Sequence, residues 1–181
     1  GPQGFIDTHR TAEYVADALG VSAGDVAVCS TGLIGELLPM DALLSGVDSA
    51  TKTLSTDGGA NAALAIMTTD THSKTAVMSG EGFVVGGMAK GAGMLAPGLA
   101  TMLVVITTDA ILDQAVLETA TRSAVSTTFE RIDSDGCMST NDTVIVMSSG
   151  ASGTSVSPED FEVVLNHVCA DLARQLIGDA E

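Results

Sequence analysis

The chain has 181 residues, of which 45% are hydrophobic, enough for one domain with a sizeable core. Aromatic residues make up only 3% and Trp is absent, so that core must be built from Ala, Val, Leu, Ile and Met. With 23 acids against 7 bases the net charge is -16, which disfavours nucleic acid as a partner because phosphate binding relies on Lys and Arg; the acids are dispersed and read as a solvated surface.

Ala12, Val15, Ala16 and Leu19 recur at helical spacing within residues 8–19, and Gly20 is placed to stop that helix. Val26 to Cys29 is a short buried-strand pattern that runs into the polar turn Ser30-Thr31-Gly32. After Pro39, the residues Met40, Leu43, Leu44 and Val47 restore the helical period. Asp57-Gly-Gly offers a cap for a short Ala-rich helix over 60–67, which ends at Thr68-Thr69-Asp70. Lys74 to Met78 and Phe83 to Met88 are strand-like, and Ser79-Gly-Glu-Gly82 between them has the composition of a hairpin turn.

The stretch Gly86 to Asp109 packs its glycines into an irregular first half, in which Lys90 reads as a loop residue, and then switches into a strand over Thr101 to Thr108. Val116, Leu117, Ala120 and Ala124 mark a helix from Asp113 to about Phe129, and Thr143 to Met147 forms a further strand. Ser157-Pro158-Glu159-Asp160 supplies an N-cap, a first-position proline and first-turn acids for a closing helix striped by Phe161, Val164, Leu165, Val168, Leu172 and Leu176. The pattern predicts one α/β domain, with helices packed on a mixed sheet.

Several chemistries are disfavoured. Cys29, Cys137 and Cys169 are odd in number and widely spaced, and no Cys or His pair has metal-ligand spacing, so no metal is expected. Asp133 to Asp142 departs from the spacing of a calcium loop and reads as a hydrogen-bonded turn or as support behind an active site. The three histidines pair with no Ser or Asp motif, and the glycine loop fits no phosphate cradle. Neither a signal peptide nor 18 uninterrupted apolar residues occurs, so a cytoplasmic protein without a membrane partner is expected.

Thr101, where the glycine loop meets the strand, reads by itself as a β-former. The sharper reading is a nucleophile made by cleavage: attack of the hydroxyl on the Ala100 carbonyl, followed by hydrolysis, would free an α-amino group. That group, with an ordinary pKa near 7.7 to 8.0, serves as a base beside its own hydroxyl.

Four blocks in order, Cys29-Ser-Thr-Gly-Leu-Ile-Gly35, Ile66-Met-Thr-Thr-Asp70, the run from Gly86 to Leu103, and Ser139-Thr-Asn-Asp142, resemble the glutamate N-acetyltransferase/ornithine acetyltransferase family of arginine biosynthesis. The resemblance implies a self-processing, N-terminal-nucleophile-type acyltransferase fold, cut between Ala100 and Thr101 into parts 1–100 and 101–181. It implies a ping-pong transfer of acetyl from N-acetylornithine to glutamate on Thr101, with acetyl-CoA as a further donor and no cofactor. Thr31 and Gly32 would stabilise the oxyanion, and Thr68, Lys90, Thr101 and Glu181 would bind substrate. Family members are longer than this chain and assemble as heterotetramers of two alpha and two beta chains. An N-terminal-nucleophile amidase or aminopeptidase, or a non-catalytic ligand-binding or assembly fragment, stands as the alternative.

Overall fold

The structure is a computed structural model. It describes every residue except Ile34, Met94, Pro97, Gly98, Thr101, Met138, Thr140 and Glu181, and only the backbone of Leu95, Ala96, Leu99 and Ala100. The chain divides into two compact units, residues 1–58 and 59–181.

In the first unit, α1 (Pro2–Leu19) packs on α2 (Met40–Lys52). Helix α1 starts six residues earlier than its apolar spacing predicts, with Pro2 in the first turn, and stops where expected. Gly20 adopts φ 69°, and its amide bonds back to the Ala16 carbonyl, a left-handed cap that costs glycine no Cβ clash. Pro39 is the N-cap residue of α2. Tyr14 on α1 donates to the Asp48 carboxylate on α2 at 3.0 Å, which ties the two helices together. The expected strand over Val26 to Cys29 does not form. An apolar run becomes a strand only where a neighbouring edge accepts its backbone bonds, and no strand occurs among the described residues of this unit.

The second unit is a four-stranded mixed sheet carrying two long helices. Strand β1 (Lys74–Gly80) forms a hairpin with β2 (Phe83–Lys90), and β2 also pairs antiparallel with β5 (Leu103–Thr108). Strand β6 (Thr143–Ser148) then pairs parallel with β5, giving the order β1-β2-β5-β6. Short β3 (Leu95–Ala96) and β4 (Leu99–Ala100) make a separate antiparallel pair. A parallel β5-β6 pair requires a crossover, and α4 (Gln114–Thr127) supplies it. The α/β class expected from the sequence is the one observed.

Helix α5 (Pro158–Gly178) lies across β1 and β2 and packs on α4. Its start follows the local code: Ser157 Oγ accepts the Asp160 amide at 3.1 Å, with Pro158 in the first turn. The predicted stripe is the buried stripe, since Phe161, Val164, Leu165, Val168, Leu172 and Leu176 join Phe83, Val85, Val104 and Ile106 in one core. Gly87 explains how a helix approaches β2 so closely. A Cβ there would sit 2.9 Å from Ile106 Cγ1 and 3.2 Å from Leu172 Cδ1.

Two boundaries shift in ways that matter for chemistry. The helix predicted over 60–67 is α3 (Gly59–Ala65). Strand β2 continues through Ala89 and Lys90, which pair with Val104 and Leu103, so Lys90 is the buried end of a strand and not a loop residue. Glycines at 86 and 87 look like loop sequence, but between two strands and beneath a helix they are sites of close packing.

Candidate functional site

A chain of 181 residues with three lysines buries two of them, Lys74 and Lys90, at 0% and 2% exposure. Buried ammonium groups require partners, because desolvation costs several kcal/mol per ion. Lys74, the first residue of β1, has two: Asp70 Oδ1 at 2.7 Å and Asp179 Oδ2 at 2.5 Å. Asp179, just beyond α5, also accepts the Thr71 amide at 3.0 Å and the Thr71 hydroxyl. The C-terminal end of α5 is thereby fastened to the segment between α3 and β1.

Asp70 links this network to Lys90. It accepts the Thr68 amide at 3.1 Å on Oδ2 and the Gly91 amide at 2.6 Å on Oδ1, beside the Lys74 ammonium. Gly91 has φ 151°, a conformation that L side chains rarely adopt. Burial would raise the Asp70 carboxyl, but the Gly91 amide, Lys74 and the Thr68 amide outweigh it and hold Asp70 below the usual carboxylate range. Asp179 is held down in the same way, by Lys74 and Thr71 against its burial. One carboxylate therefore fixes the backbone on both sides of the site: at Thr68, and at the residue after Lys90.

Lys90 projects its ammonium to Thr68, donating to Oγ1 at 2.6 Å. Thr68 itself is exposed, so a buried cation meets a solvent-facing hydroxyl. Burial lowers the Lys90 pKa, and Lys74 lowers it further, while Asp70 and Asp142 pull it back up. A desolvated ammonium beside a hydroxyl is suited to a carboxylate or a developing oxyanion, since charge-assisted bonds strengthen where water is excluded.

Asp142 immediately precedes β6. Its Oδ1 accepts the Met102 amide at 2.9 Å, and the Thr143 amide bonds to the Met102 carbonyl at 3.0 Å. Oδ2 is buried, with no hydrogen-bond partner among the described residues. Burial is the main cause that pushes the Asp142 carboxyl up to about 6, against the opposing pull of the Met102 amide and Lys90. Met102 and Asp142 line one end of a cavity of about 620 Å³ whose other wall is α4, including Leu117, Glu118 and Arg122.

The residues expected from the sequence fall as follows. Thr68 and Lys90 are brought into direct contact in the second unit. Thr31, half-buried, and Gly32, exposed, lie in the first unit. Thr101 and Glu181 lie outside the described residues, as do the side chain of Ala100 and any atom-level view of the Ala100-Thr101 junction. Met102 and Asp179, their neighbours in sequence, are fixed as above. The sequence assigned no role to Asp70, Lys74 or Asp179, and it placed Asp142 only within a block read as a hydrogen-bonded turn or as support behind an active site; Asp70 and Asp142 each close one of the motif blocks.

Cys169 is buried in apolar surroundings that push its thiol up to about 12, which suppresses the thiolate at neutral pH. Among the described residues no cluster of His, Cys, Asp and Glu has metal-binding geometry, and no helix is long and apolar enough to cross a membrane.

Comparison with known proteins adds an independent line. The pattern of the ArgJ family matches residues 1–181. The chain is 67% identical over 181 residues to arginine biosynthesis bifunctional protein ArgJ 1 of Streptomyces clavuligerus. It is 63% identical to the corresponding protein of Streptomyces coelicolor and 58% identical to that of Thermobifida fusca. In each case all of this chain is covered but only 47% of the relative, so the chain spans about half the length of the curated relatives it matches.

Proposed function

Because this chain belongs to the ArgJ family, we propose that it carries the reaction centre of an acetyltransferase that moves acetyl from N-acetylornithine to glutamate in arginine biosynthesis. The observation that supports this most directly is the buried Lys90 ammonium 2.6 Å from the exposed Thr68 hydroxyl. An α-amino-acid substrate presents a carboxylate, and a desolvated cation with an adjacent hydroxyl is a compact receptor for one.

In this reading the chain is cut between Ala100 and Thr101, yielding parts 1–100 and 101–181. The new Thr101 α-amino group takes the hydroxyl proton as Oγ attacks the acetyl carbonyl, and the proton passes to the departing ornithine amine. The hydroxyl of Thr31 and the amide of Gly32 donate to the oxyanion; removal of one such donor typically costs about 10² to 10³ in rate. Glutamate then attacks the acetyl-threonine, a ping-pong sequence. Lys90 and Thr68 hold substrate carboxylate, Glu181 meets a substrate ammonium, and the chemistry requires no cofactor. Acetyl-CoA serves as a second donor, in line with relatives described as bifunctional. The full assembly is a cytoplasmic heterotetramer of two alpha and two beta chains.

The test is mass spectrometry of the full-length protein incubated with N-acetylornithine. The expected product is one acetyl group on the fragment that begins at Thr101, discharged on adding glutamate. No acetylation of that fragment, or cleavage at the same bond in Thr101→Ala, would defeat the assignment.

A further inference from the structure

Self-cleavage presents a proton problem that the mature mechanism does not solve. Before the Ala100-Thr101 bond is cut, the Thr101 nitrogen belongs to an amide and cannot act as a base. Something else must take the hydroxyl proton and return one to the departing nitrogen.

The charged groups described at this end of the second unit narrow the choice. Lys90 is cationic or poorly basic and already donates to Thr68. Asp70 has its oxygens engaged by Lys74 and two amides. Asp142 differs. Its Oδ1 is 2.9 Å from the Met102 nitrogen, an atom only three covalent bonds from the nitrogen of the Ala100-Thr101 peptide. Its Oδ2 is buried and has no hydrogen-bond partner among the described residues, which is expensive for a carboxylate oxygen unless it serves chemistry. The adjoining cavity of about 620 Å³ has room for the water that the second step consumes.

We propose that Asp142 is the proton carrier for cleavage at Ala100-Thr101, a role that rests on the assignment of Thr101 above. Asp142 Oδ2 takes the Thr101 hydroxyl proton as Oγ bonds to the Ala100 carbonyl carbon. The carbon-nitrogen bond breaks, and the proton passes from Asp142 to the Thr101 nitrogen, leaving an ester. Water adds to that ester and Oγ departs with one of the water's protons while the other is released to solvent, giving an Ala100 carboxylate and a free Thr101 amine. Oδ1 meanwhile keeps the following peptide in place through the Met102 amide. A carboxyl raised to about 6 holds protons more readily than an ordinary aspartate and is still largely ionised at neutral pH, as a carrier must be.

The charged groups facing Asp142 are Lys90 from β2, Glu118 and Arg122 from α4, and Glu130 from the turn after α4. Arg122 is paired with Glu118 at 2.9 Å, so Lys90 is the cation that tunes Asp142.

The experiment follows cleavage of freshly translated full-length protein by intact mass from pH 5 to 9. The wild type should split at this bond at a rate that climbs through pH 6 and then levels. Asp142→Asn retains an acceptor for the Met102 amide and should melt no lower than the wild type, yet cleave at least 100-fold more slowly, with Asp142→Glu recovering part of the rate. Lys90→Met should move the climb to higher pH. Asp142→Asn that cleaves at the wild-type rate, or is slow with an unchanged pH profile, overturns the proposal while leaving Thr101 standing. If Asp142→Asn fails to fold, a flat wild-type profile between pH 5 and 8 overturns it. A wild type that never splits there removes the Thr101 assignment, and this proposal with it.

Discussion

Asp70 and Lys74 face each other at 2.7 Å with neither side chain exposed, and the same Asp70 oxygen accepts the amide of Gly91, next to Lys90. A buried ion pair is thus part of what holds the backbone beside Lys90 in place. Its stability contribution differs from its positional one. Replacing both partners by apolar groups is often neutral, whereas removing one leaves a buried charge unpaired. Lys74→Met strands both Asp70 and Asp179 and should destabilise the fold by about 3 to 5 kcal/mol, measured by urea unfolding at pH 7. The sign with pH follows from the two depressed carboxyls. Their contribution is complete above the ordinary carboxylate pKa, near 4, and is lost as pH falls through their folded-state values. The gap between Lys74→Met and wild type should therefore narrow in acid.

Asp142 has the opposite sign. A carboxyl raised to about 6 in the fold favours the protonated form, so its favourable contribution is present below pH 4 and is lost as pH climbs through 6. Asp142→Asn cannot ionise. Its melting temperature should exceed that of the wild type at pH 8 and match it near pH 4, in paired thermal melts. A lower melting temperature at pH 8 would mean that the ionised carboxylate has stabilising partners.

Lys90→Met should raise KM for N-acetylornithine by about 10- to 100-fold in the full-length enzyme, from loss of one charge-assisted contact of about 1.5 to 3 kcal/mol. Thr68→Ala removes a neutral hydroxyl and should raise KM less. Steady-state kinetics on the two variants separates the contributions, and equal effects would point to a shared structural defect instead.

At Gly87 the limit is steric. A Cβ placed 2.9 Å from Ile106 Cγ1 and 3.2 Å from Leu172 Cδ1 must push α5 away from β2 or force those side chains off their rotamers. Gly87→Ala should cost about 1 to 3 kcal/mol, and Gly87→Val more, by chemical denaturation. Because α5 ends at the Asp179 anchor, the same change should weaken the Lys74 network.

Local code was sufficient for much of the architecture. Gly20 stops α1, Ser157-Pro158 starts α5, and the stripe from Phe161 to Leu176 is the buried face, because caps and helical periodicity are set by neighbours within a few residues. The Thr68-Lys90 pair was legible as two motif positions, though not as a contact. The failures share one cause, dependence on a distant partner. Val26 to Cys29 has strand composition but no strand beside it among the described residues of its unit, and Lys90 has loop-like glycines around it but pairs with Leu103.

Sequence by itself determined the α/β class, the helix boundaries set by caps, and the four motif blocks that mark the family. Only the tertiary structure decided which charges meet. Asp179 reaches Lys74 from 105 positions away because α5 lies across β1 and β2. Asp142 reaches Met102 from 40 positions away because β6 adds parallel to β5, so the two strands begin side by side and the residues just before them touch. Spacing along a chain carries no trace of a parallel pairing made through a crossover helix, and it is that pairing which sets the half-buried Asp142 carboxylate against the Met102 amide, one peptide along from Thr101.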